Sequence, residues 1–186
     1  MPNWCSNDLI ITGKNLERLQ ELSDALVKGD LLKTLVPIPG PLQMATAPND
    51  DEEQAALLTE QYGYPDWFSF CLSRWGTKWD PTDASVTEIE TEGEDHTLSA
   101  SFESAWSPPI DALSVLVEEG FKVVLHYYEP GMGFTGTWTG DPENGVDDDY
   151  YDIPGSSDAV EDVIPSHLNE RFAISETMSQ YEEDDE

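Results

Sequence analysis

The sequence predicts an α+β protein, and three observations support that prediction. Apolar residues recur at helical spacing in several segments that open on a capping residue and close on a glycine. Between them lie short segments rich in β-branched and aromatic residues, two of which are close enough to pair as a hairpin. The 186 residues are 38% hydrophobic, with six Trp, seven Tyr and six Phe, which is enough apolar material for one folded core.

The first strand and the first helix are predicted within the N-terminal part. Residues 8–12 favour a short strand closed by Gly13. Asn15 is a suitable N-cap for a helix that ends at Gly29, and leucines recur between them every three or four residues, which is helical spacing. Residues 31–44 are apolar but contain three prolines, so we expect an extended, ordered loop there.

A helical insertion and a hairpin follow. Asn49 and Asp50 can cap a helix that runs to about Tyr62, and residues 66–75 favour a second, aromatic-rich helix. Residues 85–90 and 97–102 predict two strands joined by a turn at residues 92–95.

The last regular elements begin at Ser107-Pro108-Pro109, a typical helix entry. They are a helix over residues 110–119, a strong strand over 121–128 and a final strand over 134–139. Two β-α-β halves around a central hairpin describe a ferredoxin-like split βαβ fold. The additions are a helical insertion after the first helix and an extra edge strand.

The composition changes after Gly140. Residues 141–186 contain sixteen acids and one base, Arg171. We therefore divide the chain into a ferredoxin-like domain over residues 1–140 and an acidic C-terminal segment over residues 141–186. The scattered apolar residues of that segment suit a strap partly docked on the domain, and the last five residues are expected to be disordered.

The charge restricts the classes of partner. The formal net charge is −31, and the eight Lys and Arg residues are scattered. Direct binding of nucleic acid or of an anionic membrane is therefore excluded, and a basic protein, such as one that itself binds nucleic acid, is favoured. Two cysteines, and the absence of a signal peptide or an apolar span, predict a cytoplasmic protein without a cofactor. The sequence does not specify the oligomeric state.

Four sequence blocks carry a family resemblance. They begin at Met1, Trp75, Ala105 and Tyr128 and read M-P-N-W-C-S-N, W-G-T-K-W-D, A-W-S-P-P and Y-E-P-G-M-G-F. Together they resemble the YubB ferredoxin-like family, whose members are carried by plasmids and bacteriophages. The resemblance implies a ferredoxin-like fold and a mobile-element origin. It implies no activity, because the function of that family is unknown.

Our leading hypothesis is a non-enzymatic interaction protein that inhibits a host defence or nucleic-acid-processing protein in the host cytoplasm. Carboxylates on a rigid scaffold can present negative charge as DNA does, so charge mimicry is the expected mechanism. The alternative is that the charge only keeps the protein soluble. The residues chosen for partner binding are Asp147, Asp148, Asp149, Asp152, Glu161 and Asp162.

A second hypothesis is a pocket for a small molecule or a peptide around the W-G-T-K-W-D block. Its residues would be Trp75, Lys78, Trp79, Asp80 and Trp106. The alternative interpretation of the same block is a structural corner, with the tryptophans buried and Asp80 capping the turn before Pro81.

An enzyme is the third and weakest hypothesis. His126 could act as a general base if a carboxylate such as Glu129 oriented its ring. Strand alternation places Glu129 on the opposite face from His126, which argues against this pair. The spacing of His, Cys and acidic residues matches no metal or nucleophile motif, so we predict no metal site and no catalytic residue.

Overall fold

The computed structural model describes residues 3–184. Seven strands are present in that range: β1 Trp4–Gly13, β2 Ser85–Val86, β3 Glu90–Glu92, β4 Asp95–Ala105, β5 Lys122–Glu129, β6 Phe134–Asp141 and β7 Gly145–Asp152. The helices are α1 Leu16–Lys28, α2 Leu31–Leu35, α3 Gly40–Met44, α4 Glu52–Tyr62, α5 Trp67–Arg74, α6 Ile110–Glu118, α7 Val160–Val163, α8 Ser166–Phe172 and α9 Ile174–Asp184.

The strands form one antiparallel sheet in the order β2-β4-β1-β5-β6-β7, with β3 also pairing with β4. Four neighbouring strands, β2, β4, β1 and β5, and the two helices α1 and α6 give the β-α-β-β-α-β arrangement of a ferredoxin-like fold. The prediction of an α+β, ferredoxin-like protein with a helical insertion after α1 is therefore confirmed.

The main core lies between one face of the sheet and the helices α1, α2, α5 and α6. Alternate residues of β1, among them Leu9 and Ile11, are buried in the same cluster as three leucines of α1, namely Leu19, Leu22 and Leu26. Asn15 caps α1 by accepting a hydrogen bond from the Arg18 N–H at 3.1 Å, and Gly29 ends the helix in a left-handed conformation.

A second, smaller apolar cluster lies on the opposite face of the sheet. It joins Tyr128 of β5 to the C-terminal helices through Val160, Ile164, Leu168 and Ile174, all buried. An ion pair between Arg171 of α8 and Asp8 of β1, 2.8 Å long, adds a polar contact between that segment and the sheet. The C-terminal segment thus packs on the sheet face that α1 and α6 leave open.

Two predicted elements of the ferredoxin-like domain differ from the observed ones. Residues 31–44 contain two short helices, α2 and α3, instead of an extended loop, because the prolines stand between and at the start of the helices. The strand predicted over residues 85–90 is divided into β2 and β3. The two pieces pair separately with β4.

The C-terminal part also differs. The strand over residues 134–139 is not the last one, because β7 follows it and pairs with β6 along its whole length. The sheet therefore extends two strands beyond the ferredoxin-like core instead of one, and the acidic segment begins inside it. Of the five terminal residues predicted to be disordered, the last two lie outside the described range, and the preceding ones continue helix α9.

Candidate functional site

The four sequence blocks meet at one end of the sheet. The Asn7 amide donates to Ser104 Oγ at 2.8 Å, and Ser104 Oγ donates to the Ser107 carbonyl at 2.7 Å. The Ser107 hydroxyl in turn donates to the Gly76 carbonyl, and Thr77 Oγ1 donates to the Ala105 carbonyl at 2.8 Å. This chain of hydrogen bonds ties β1 to the W-G-T-K-W-D block through the S-P-P helix entry.

The fourth block joins the same end through Glu129, which is fully buried. Its carboxylate accepts hydrogen bonds from the backbone N–H groups of Gly131 and Met132, and so closes the link between β5 and β6. Gly131 lies against the Asn3 side chain, where a larger residue would collide. The block is therefore a tight turn built around a buried acid.

Trp106 adopts an unusual backbone conformation at this junction. Its φ is 65°, in the left-handed region that favours glycine, and its N–H donates to the Asn3 carbonyl at 2.9 Å. The conformation places the Trp106 ring beside that of Trp79, with centroids 6.1 Å apart and planes at 26°. A strained residue of this kind indicates a constraint on the position of its side chain.

Lys78 lies among aromatic rings. Its Nζ is 4.3 Å from the ring centroid of Trp79, 5.3 Å from Phe68, 5.6 Å from Trp106 and 6.0 Å from Trp67. These distances fall in the range of cation–π interactions. Among the residues the structure describes, no carboxylate forms an ion pair with this ammonium.

Two of the predicted pocket residues also have structural roles. Trp75 is 2% exposed and its Nε1–H donates to the Val36 carbonyl at 2.8 Å. Asp80 does not cap the turn before Pro81; it accepts from the N–H groups of Leu32 at 2.6 Å and Lys33 at 3.1 Å, at the start of α2. Burial raises the pKa of Asp80 to about 6, against the opposing effect of those hydrogen bonds.

A cavity of about 430 Å³ opens beside these residues, between α5, α2 and the loop after Trp75. Trp67, Trp75 and Trp79 supply aromatic walls, and Lys33 and Lys78 supply positive charge. Sequence reasoning placed Trp67 and Phe68 in an aromatic helix but not in the site. Only the three-dimensional packing of α5 on the loop brings these two rings to Lys78.

The acidic residues divide between two elements. Asp147, Asp148, Asp149 and Asp152 are exposed on β7, the edge strand of the sheet, whereas Glu161 and Asp162 are exposed on α7. Alternation places Asp147 and Asp149 on one face of β7 and the other two on the opposite face. The structure thus aligns four of the six predicted residues along one strand.

Two of these carboxylates have partners within the fold. Asp148 accepts a hydrogen bond from the Tyr127 hydroxyl at 2.9 Å, and burial together with this bond raises the pKa of Tyr127. Asp152 accepts from Tyr150 at 3.3 Å. Asp147 and Asp149 accept no hydrogen bond from the described residues, so their carboxylates face solvent.

Most of the lysine and arginine side chains lie beside carboxylates of the same chain. Six of the eight Lys and Arg residues lie within ion-pair distance of a carboxylate, namely Lys14, Arg18, Lys28, Lys33, Lys122 and Arg171. Arg74 and Lys78 form no such pair within residues 3–184. Within the described residues, Arg74 and Lys78 are therefore the cations that no neighbouring carboxylate offsets.

The histidines and cysteines show no catalytic arrangement in the described chain. The His126 ring packs edge-on against His167, with centroids 5.7 Å apart, and its Nδ1 is 2.9 Å from Thr137 Oγ1. Burial, with Arg171 and His167 nearby, lowers the pKa of His126 to about 4. Burial also raises the pKa of the Cys71 thiol to about 12 and that of Cys5 further. Between Asn3 and Asp184, no three His, Cys, Asp or Glu residues cluster as metal ligands.

Comparison with known proteins agrees with the fold. Residues 74–175 match the family model described as "Ferredoxin-like domain in Api92-like protein". The chain belongs to this family. The description names a fold and no activity, and the match does not distinguish the YubB family within ferredoxin-like proteins of unknown function.

One solved structure is similar to the chain, the crystal structure of a protein api92 from Yersinia pseudotuberculosis. The identity is 13% and the TM-score 0.42, over 83% of this chain and 99% of that one. The comparison with curated proteins finds no relative of this chain. Across the described residues, each helix is too short or too polar to cross a membrane.

Proposed function

We propose that the protein is a non-enzymatic interaction protein of a phage or plasmid. It binds a basic protein of the host cytoplasm, one that itself binds nucleic acid, and inhibits it by charge mimicry. The partner is a factor in host defence or nucleic-acid processing. The mobile-element origin rests on the four blocks that resemble the YubB family, and the choice of partner rests on charge.

The observation that carries the proposal is the alignment of aspartates along the exposed edge strand β7. Alternate residues of a strand are about 6.8 Å apart. Asp147 and Asp149 therefore present two solvent-facing negative charges at a fixed, regular separation, as a phosphate backbone does. Because β7 is paired to β6 along its length, the spacing is held by the sheet.

Internal neutralisation of the cations supports the same conclusion. Six of the eight lie beside a carboxylate of the same chain, so few cations are left unpaired for a partner's acidic groups within the described residues. A basic groove shaped for a phosphate backbone would meet carboxylates instead, with the steep salt dependence of such contacts.

The experiment compares two variants of equal net charge in an affinity capture from host lysate. The first replaces Asp147, Asp149 and Asp162 by Asn and Glu161 by Gln. These four are chosen because their carboxylates make no hydrogen bond with the described residues. The control replaces four exposed acids elsewhere in the chain by Gln: Glu53, Glu60, Glu88 and Glu90.

We expect the natural protein to capture one or two basic nucleic-acid-binding proteins at low salt and to release them at high salt. The first variant should lose most of this capture, and the control should retain it. If the first variant captures the same proteins equally well at low salt, the acidic edge is not the mechanism. Equal recovery of every cationic protein would mean that the charge serves solubility alone.

A second candidate function is favoured by the arrangement around Lys78. An ammonium surrounded by four aromatic rings, beside a cavity of about 430 Å³, has the features expected of a binding site for a small molecule or a peptide side chain. Removal of the Lys78 amine with the fold intact should abolish that binding and leave capture of basic proteins unchanged.

A further inference from the structure

The cavity beside Lys78 has the dimensions and the walls of a small-molecule site. Its volume of about 430 Å³ lies within the ~300–1,000 Å³ of typical ligand pockets. Trp67 and Trp79 line it with aromatic rings, and Ile38 adds an aliphatic wall. Trp79 is 40% exposed, so part of this ring is accessible from solvent.

The charges that line the cavity are not equivalent. Lys33 pairs with Asp30 at 2.9 Å and lies 3.9 Å from Asp80. The Asp80 carboxylate is occupied by two backbone N–H groups of α2. Among the charged residues that line the cavity, Lys78 is therefore the one that forms no ion pair with a carboxylate of the described chain.

An unbalanced ammonium is unexpected in a chain with 39 acids. Four rings hold its position, and one of them, Trp106, is placed by a left-handed backbone with φ of 65°. The fold thus maintains a positive charge among aromatic walls, where an ordinary surface lysine would pair with one of the many carboxylates. A ligand that brings its own anionic group completes this arrangement.

We propose that this cavity binds a small planar organic monoanion, such as an aromatic carboxylate. Its ring packs against Trp67 and Trp79, and its carboxylate accepts a hydrogen bond from Lys78 Nζ. The net charge of −31 favours a ligand that carries one negative charge over a polyanion. A nucleoside triphosphate would gain the same single contact with Lys78, but the whole negative surface would repel its several charges. The site is separate from β7, and this proposal rests on the second candidate function above, whose ligand class it specifies.

The test uses 2-naphthoate as the probe in isothermal titration calorimetry. The uncharged 2-naphthamide serves as the matched ligand, and ATP serves as the polyanion. The protein variants are Lys78→Gln, Lys78→Arg and Trp79→Ala, and circular dichroism verifies that each is folded. Arg74→Gln is the control, because Arg74 lies four residues earlier and, among described residues, is the other cation without an ion pair.

We expect 2-naphthoate to bind at least tenfold more tightly than 2-naphthamide, because a hydrogen bond between charged groups has about that effect. It should also bind more tightly than ATP, because the negative surface repels the polyanion. Lys78→Gln and Trp79→Ala should each weaken the affinity for 2-naphthoate by about tenfold. Lys78→Arg and Arg74→Gln should each change that affinity by less than about threefold. Equal binding of the acid and the amide would overturn the proposal. So would tighter binding of ATP, retention of binding in Lys78→Gln, or no detectable binding of 2-naphthoate.

Discussion

Leu168 is the residue through which attachment of the C-terminal helices is best tested. Its side chain is fully buried in the small cluster on the second face of the sheet, with Tyr128, Val160, Ile164 and Ile174. Truncation of a buried leucine to alanine costs about 2–5 kcal/mol. Few other buried side chains hold α7, α8 and α9 on the sheet. We therefore expect Leu168→Ala to lower the free energy that keeps these helices docked and to leave the stability of the main core unchanged.

Hydrogen exchange followed by mass spectrometry distinguishes these two outcomes. In Leu168→Ala, peptides from residues 160–184 should exchange about 30-fold faster or more, which corresponds to the lower limit of that cost. Peptides from β1 and β5 should keep their protection.

The control is Leu22→Ala, which removes an equally buried side chain from the main core. It should raise exchange throughout the chain. Uniform acceleration in Leu168→Ala, equal to that of the control, would refute the view that the C-terminal helices dock as a separate unit.

Three further predictions concern stability measured by denaturant unfolding. The low pKa of His126, about 4, means that neutral His126 contributes stability that is complete above its unfolded pKa of about 6.5 and is lost as the pH falls toward 4. Because solvent screens this half-buried ring, His126→Gln should reduce the pH 7 minus pH 5 difference in unfolding free energy by only about 1–2 kcal/mol, and His96→Gln should leave it unchanged. Trp75→Phe leaves the Val36 carbonyl without its donor and should cost about 1–3 kcal/mol; no loss would show that water replaces the indole N–H. Asp80→Ala removes the cap of α2 and should cost about 0.5–2 kcal/mol, with faster exchange of the α2 amides; unchanged exchange would contradict the capping role.

The sequence predicts the local elements well where periodicity and capping agree. Helix α1 follows from Asn15, Gly29 and the leucines between them, and β5 from its dense β-branched and aromatic residues. Strand β7 was missed because three consecutive aspartates disfavour a strand by propensity. Pairing with β6 overrides that preference, and the charges suit an exposed edge that must resist further pairing.

The candidate sites depend on contacts that the sequence pattern does not contain. The W-G-T-K-W-D block indicates an aromatic site, but Asp80 reaches α2, 48 residues earlier in the chain, and Phe68 joins Lys78 only through the packing of α5. The left-handed Trp106 likewise donates its N–H to the carbonyl of Asn3, at the far N-terminal end of the chain. Long-range contacts of this kind determine which residues form the cavity and which only support it.

Competition with DNA tests charge mimicry most directly. The partner captured from lysate is bound to immobilised protein, and duplex DNA is added at constant ionic strength. If the protein occupies the groove that holds nucleic acid, duplex DNA should release the partner completely, and the partner should bind the same DNA when tested alone. A partner that stays bound at saturating DNA, or that has no affinity for DNA or RNA, would contradict the account.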